Sequence, residues 1–145
     1  MALYDQLLVY KICYDLLSLL LDICPNMQRA FRYTLGERIQ NTAVELLQNI
    51  YRANTVCDKL LPLTAARDNL VSVRLFIRLA HDKRQIASKD YLRANDLIES
   101  AGRQLTSWSR SAAHPGRDAA RHVSTTTRTA STNHIEKQKT IDLFG

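Results

Sequence analysis

Four side chains in one stretch of this sequence have the types and spacing to do chemistry: Arg67, Arg74, Arg78 and His81, at intervals of seven, four and three. At about 100° per helical residue they fall within roughly 80° of one another, so they form one thin cationic line. Guanidiniums a turn apart among neighbours such as Leu75, Phe76 and Leu79 are costly to leave without an anion. Two arrangements would satisfy Arg74 and Arg78. One is internal ion pairing with Asp68, Asp82 or an acid on a neighbouring helix; the other is an external phosphate or a partner's carboxylate. Lys83 and Arg84 extend the line past the helix end, where they also complement its dipole. Arg103 and Arg110 add to the basic surface from further along. The candidate binding residues are Arg67, Arg74, Arg78, Lys83 and Arg84.

Other chemistries find few residues. No paired carboxylates, metal-spaced His and Asp, glycine-rich phosphate loop or Ser/His/Asp order occurs, so the expectation is a non-catalytic protein without cofactor or metal. Cys13, Cys24 and Cys57 are odd in number and lack a CxxC, which excludes a closed disulfide framework and a zinc spacing. They read as buried thiols in a reducing compartment. The beginning of the sequence lacks the basic start and cleavage site of a signal peptide. The apolar run at 16–21 is too short to span a bilayer and is bracketed by Asp15 and Asp22. A cytoplasmic protein with no membrane partner is expected. Its net charge of +6 is not confined to a basic tail, since residues 1–111 hold 15 basic against 11 acidic side chains. Such a surplus suits phosphate or an acidic protein surface.

The elements that must position these groups are helices. Only four Gly and three Pro interrupt the chain, and they sit between apolar-periodic stretches. A first helix over about 5–23 confines its polar residues to Lys11, Asp15, Ser18 and Asp22, too narrow a stripe for a single bundle to cover both apolar flanks. Pro25 ends it. A basic, aromatic connection (Arg29, Phe31, Arg32, Tyr33) leads to Thr34 and Glu37, which read as a capping box. A second helix to about 54 repeats Ile39, Ala43, Leu46, Ile50 and Ala53. The third starts near Pro62 and runs to about 83 on a seam of Leu70, Val73, Ile77 and Ala80. Ser88 is the expected cap of a fourth, whose heptad seam is Tyr91, Ala94, Ile98, Ala101, Leu105 and Trp108. The fold class is all-α, an antiparallel up-down four-helix bundle over 1–111. The Ser/Thr-rich basic stretch at 112–145 has no apolar period and reads as a flexible tail whose last apolar residues fray.

Several segments, in order, resemble a known family: Ala2-Leu3-Tyr4-Asp5, Tyr33-Thr34-Leu35-Gly36-Glu37-Arg38, Ile50-Tyr51-Arg52-Ala53-Asn54, Val73-Arg74-Leu75-Phe76-Ile77-Arg78-Leu79 and Gln104-Leu105-Thr106-Ser107-Trp108. They look like the accessory variability determinant (Avd) group of diversity-generating retroelements. That group lies within the bacterial four-helix-bundle family that includes the 23S rRNA intervening-sequence proteins. The resemblance implies a homopentameric barrel with a basic surface, cytoplasmic, binding the element's reverse transcriptase. It also implies contact with the template-repeat RNA, or its cDNA, during mutagenic copying. Arg74 and Arg78 fall on the family's basic third-helix positions, with Arg84 just beyond. Two alternatives stay open: an intervening-sequence protein with an RNA-related role, and a HEPN-like ribonuclease. For the latter, Arg74-x6-His81 and Arg117-x4-His122 match the Arg-x(4–6)-His signature, although Leu75 stands where those enzymes carry a polar residue.

Overall fold

The computed structural model describes residues 2–114, with side chains from residue 8 onward. Its four long helices are α1 (Ala2–Ile23), α2 (Glu37–Thr55), α3 (Leu60–Asp82) and α4 (Ser88–Ala113). Around the bundle α1 packs on α2 and α4, and α3 packs on the same two, closing a ring of four. The short connections at 56–59 and 83–87 make α2, α3 and α4 run successively antiparallel. The Gln28–Gln85 hydrogen bond sets the end of α1 at the same end of the bundle as the end of α3, so α1 runs antiparallel to α2.

The predicted seams are the core. Ile39, Ala43, Leu46, Ile50 and Ala53 of α2 are buried, as are Leu70, Val73, Ile77 and Ala80 of α3. Ala94, Ile98, Ala101, Leu105 and Trp108 of α4 join them, Trp108 at 5% exposure, so its indole is packing material. Tyr91, the first residue of the expected seam, is only half-buried at the edge of the core. Each fully buried Leu, Ile or Val side chain among them stabilises the fold by about 1.5–3 kcal/mol relative to exposure. The narrow polar stripe of α1 faces out, with Lys11, Asp15, Ser18 and Asp22 all exposed. Beside it Tyr14 and Leu21 are also uncovered, and α3 leaves Val71, Leu75 and Leu79 in the open.

A polar chain locks the α2–α3 seam. Arg52 donates to Asn49, whose amide donates to Asn69 Oδ1 at 2.7 Å, and Asn69 in turn donates to Glu45 Oε2 at 3.2 Å. At the foot of α2, the Lys59 ammonium donates to the carbonyls of Ala53 and Val56, satisfying the helix C-terminus.

Local expectations needed correction at several points. Thr34 is no N-cap: the chain is already helical there, in a turn at Arg29–Phe31 that runs into a π-helical segment at Arg32–Gly36. Its hydroxyl therefore donates back to the Ala30 carbonyl at 2.8 Å. Gly36 is buried in that segment, and a Cβ there would lie 3.3 Å from Met27 Sδ, so the close approach to Met27 uses its missing side chain. Ser88 is the first residue of α4 rather than its cap, because Ala87 takes the extended cap conformation. Pro62 sits in the first turn of α3 but two residues after its start. Cys57 is exposed in the α2–α3 connection, where no helix packs over it, whereas Cys13 and Cys24 are buried as expected. The boundary expected at 111 falls inside α4, which continues to Ala113. The tail reading concerns residues of which 115–145 lie outside the described residues.

Candidate nucleic-acid interface

The α3–α4 seam opens outward into a groove of about 630 Å³. Arg67 and Arg74 line it from α3 and Arg103 and Arg110 from α4, with Glu99, Thr106 and Ser107 between them. Both arginine pairs are spaced seven residues apart, so each spans two turns, about 10 Å, on one face of its helix. The antiparallel register then sets the pairs across from each other. Gly102 marks that register: a Cβ on it would be 3.6 Å from Leu70 Cδ2 and 3.9 Å from Arg74 Nη2.

Among the described residues no carboxylate forms an ion pair with any of these four guanidiniums, nor with Arg78, Lys83 or Arg84. Asp68 and Asp82 thus do not take the internal-pairing role that the sequence left open. Four guanidiniums against the one carboxylate of Glu99 leave the groove lining with an excess of positive charge, which favours an anion there.

The predicted cationic line is divided by the fold. Arg67 and Arg74 come together in the groove, while Arg78 is exposed outside it. Lys83 instead rims an apolar hollow of about 400 Å³ at the bundle end, with Phe31, Leu35, Leu79 and Arg38. The Arg38 guanidinium lies 5.9 Å from the Phe76 ring centroid. Arg84 occupies the turn after α3 at φ 58°. Arg103 and Arg110 stand outside the five candidates that the sequence offers. The signal that finds them is the seven-residue arginine spacing repeated on two consecutive antiparallel helices.

His81 does not join Arg74. Its ring stacks on Tyr91 at 4.2 Å between centroids and 10° between planes, and Nε2 is 3.2 Å from Ser88 Oγ. Arg74, two turns away, lines the groove. The second Arg–His match, Arg117 and His122, lies outside the described residues.

The buried thiols are kept neutral. Burial pushes Cys13 up to about 12, and Cys24 to about 11 against the pull of a hydrogen bond from Gln40. Neither is poised as a nucleophile. No helix among the described residues is long and apolar enough to cross a membrane.

Compared with known proteins, the chain matches the family described as bAvd-like over residues 7–112, which takes in all four long helices. No curated protein matches it.

Proposed function

Because the chain belongs to the bAvd-like family, we propose that it is a non-catalytic accessory subunit of a diversity-generating retroelement, holding the reverse transcriptase and the template-repeat RNA or its cDNA together during mutagenic copying. The observation that carries this reading is the groove with Arg67, Arg74, Arg103 and Arg110 and no ion pair among the described residues. Four cations about two turns apart along two rails suit a phosphate backbone. With no aromatic side chain in its lining, the groove would read charge and shape rather than sequence.

Assembly is part of the proposal. Val71 and Leu75 are each 61% exposed, and Tyr14 and Leu21 add apolar surface on α1. These are the flanks that a single bundle leaves bare, and copies of the chain would cover them in a homopentamer. The occupation of His81 by Tyr91 and Ser88 favours the accessory role over a ribonuclease.

The test is the double variant Arg74→Ala/Arg110→Ala, assayed for binding to labelled template-repeat RNA and to the reverse transcriptase, with melting followed on the same sample. Binding should weaken across RNA sequences, with a salt slope shallower by about 0.7–0.9 for each phosphate no longer neutralised, and melting should hardly move. Unchanged binding of both partners would overturn the reading. RNA binding without any capture of a reverse transcriptase would transfer the protein to the intervening-sequence branch.

A further inference from the structure

Two connections meet at the end of the bundle opposite the C-terminus of α4. One is the helical turn and π segment between α1 and α2; the other is the α3–α4 turn. The backbone N–H of Gln28 donates to Oε1 of Gln85 at 2.9 Å, and the Gln85 amide donates to the Lys83 carbonyl at 3.0 Å. This ties the two connections together and sets Arg29 and Arg84 on either side of the tie.

The α3–α4 turn is a Schellman arrangement. Gln85 N–H bonds the Ala80 carbonyl at 2.8 Å, and Arg84 N–H bonds the His81 carbonyl at 2.9 Å. The residue between helix and exit must be left-handed, and glycine adopts that conformation without a steric penalty. Here it is Arg84, with φ 58°. Its side chain is exposed and has no ion pair or hydrogen bond among the described residues, so no internal contact offsets the strain.

The facing connection presents matching groups. Phe31 and Leu35 turn inward to line the apolar hollow, whereas Arg29, Arg32 and Tyr33 are exposed. Tyr33 is 63% exposed, and the Arg32 guanidinium lies 5.7 Å from its ring centroid. A solvent-facing aromatic ring beside a guanidinium, with further exposed arginines on the same two connections, is an arrangement suited to stacking an unpaired base and holding adjoining phosphates. A π segment commonly marks functional sites, because its extra residue re-aims side chains.

We propose that this end of the bundle binds unpaired nucleotides of a single-stranded nucleic acid, one base stacked on Tyr33 and the flanking phosphates held by Arg29, Arg32 and Arg84. The inference rests on the nucleic-acid reading above but assigns a second surface with a different task. The groove has no ring to stack a base, and this surface does.

The experiment compares a labelled oligouridylate with an RNA duplex of equal length, by fluorescence anisotropy on the full chain and on Tyr33→Ala, Tyr33→Phe and Arg84→Gly. Tyr33→Ala should weaken single-strand binding about tenfold and leave duplex binding within about twofold, while Tyr33→Phe stays near the parent. Arg84→Gly should melt at a higher temperature yet bind the single strand less tightly, with its salt slope reduced by about 0.7. Since it relieves strain, loss of binding in that variant cannot come from misfolding. Single-strand affinity indifferent to both Tyr33→Ala and Arg84→Gly would overturn the inference and leave the nucleic-acid reading standing. Failure of the parent chain to bind either RNA would overturn both. Loss of reverse-transcriptase capture in Tyr33→Ala, with RNA affinity intact, would reassign this surface to the polymerase and overturn the proposal.

Discussion

Asn69 accepts a 2.7 Å hydrogen bond from Asn49, its neighbour across the α2–α3 seam, and passes one on to Glu45. That chain of amides fixes the height of α3 against α2, and α3 in turn presents Arg67 and Arg74 to α4. A partly buried amide pair is stable only when both partners stay, so it specifies register more than it adds stability.

Replacing one member should show this. Asn69→Ala strands the Asn49 amide and should cost about 1–3 kcal/mol, read as a lower urea midpoint. A midpoint equal to that of the parent would mean that water serves the amide equally well.

Gly102→Ala should stabilise. The added Cβ meets Leu70 and Arg74 at ordinary contact distances, and alanine is favoured over glycine in a helix interior by about 1 kcal/mol. RNA affinity should be kept in this variant, whereas Gly102→Asp would place a carboxylate near Arg74 and weaken it. Equal RNA affinities for the two variants would show that phosphates do not use this groove.

Ser109 carries a buried hydroxyl oxygen without a hydrogen-bond partner among the described residues. Ser109→Ala removes that desolvated group and raises helix propensity, so thermal melting should stay level or rise. A fall of several degrees would reveal a partner for the hydroxyl.

Leu75→Glu tests assembly. Because Leu75 is 61% exposed in the single chain, the charge should leave helicity intact while light scattering reports a smaller particle. An unchanged particle mass would place the contact between copies elsewhere.

The thiols predict a pH dependence. Cys13 goes from an ordinary value of 9.0 up to about 12, and Cys24 from the same value to about 11, both chiefly through burial. A folded-state value above the unfolded one contributes stability that is full below pH 9 and is lost as pH rises through the folded values. Urea midpoints should therefore fall between about pH 9 and pH 12, and a Cys13→Ala variant should flatten the profile. At pH 8 a thiol reagent should modify Cys57 alone among the three cysteines in the native protein, since only that thiol is exposed. Rapid native labelling at Cys13 would contradict the packing described.

The sequence by itself determined the helices and their inward faces. Period and breakers act within a few residues, so the seam through Tyr91, Ala94, Ile98, Ala101, Leu105 and Trp108 could be read directly, and all but the half-buried Tyr91 are buried. The bare flanks of α1 and α3 were legible for the same reason: a stripe as narrow as Lys11, Asp15, Ser18 and Asp22 leaves more apolar surface than one bundle covers. Only the tertiary structure decided which cations share a surface. Spacing places Arg67, Arg74 and Arg78 on one helix face, but helix-to-helix register decides that the first two meet Arg103 and Arg110 while Arg78 stays outside. Likewise, Thr34 and Glu37 satisfy the local pattern of a cap, yet packing of the π segment over Met27 keeps the chain helical before Thr34. The left-handed turn that puts Arg84 beside the α1–α2 connection follows from how α3 must stop for α4 to pack back on it. Pairings such as Gln28 with Gln85 join residues 57 apart, and no local period encodes them.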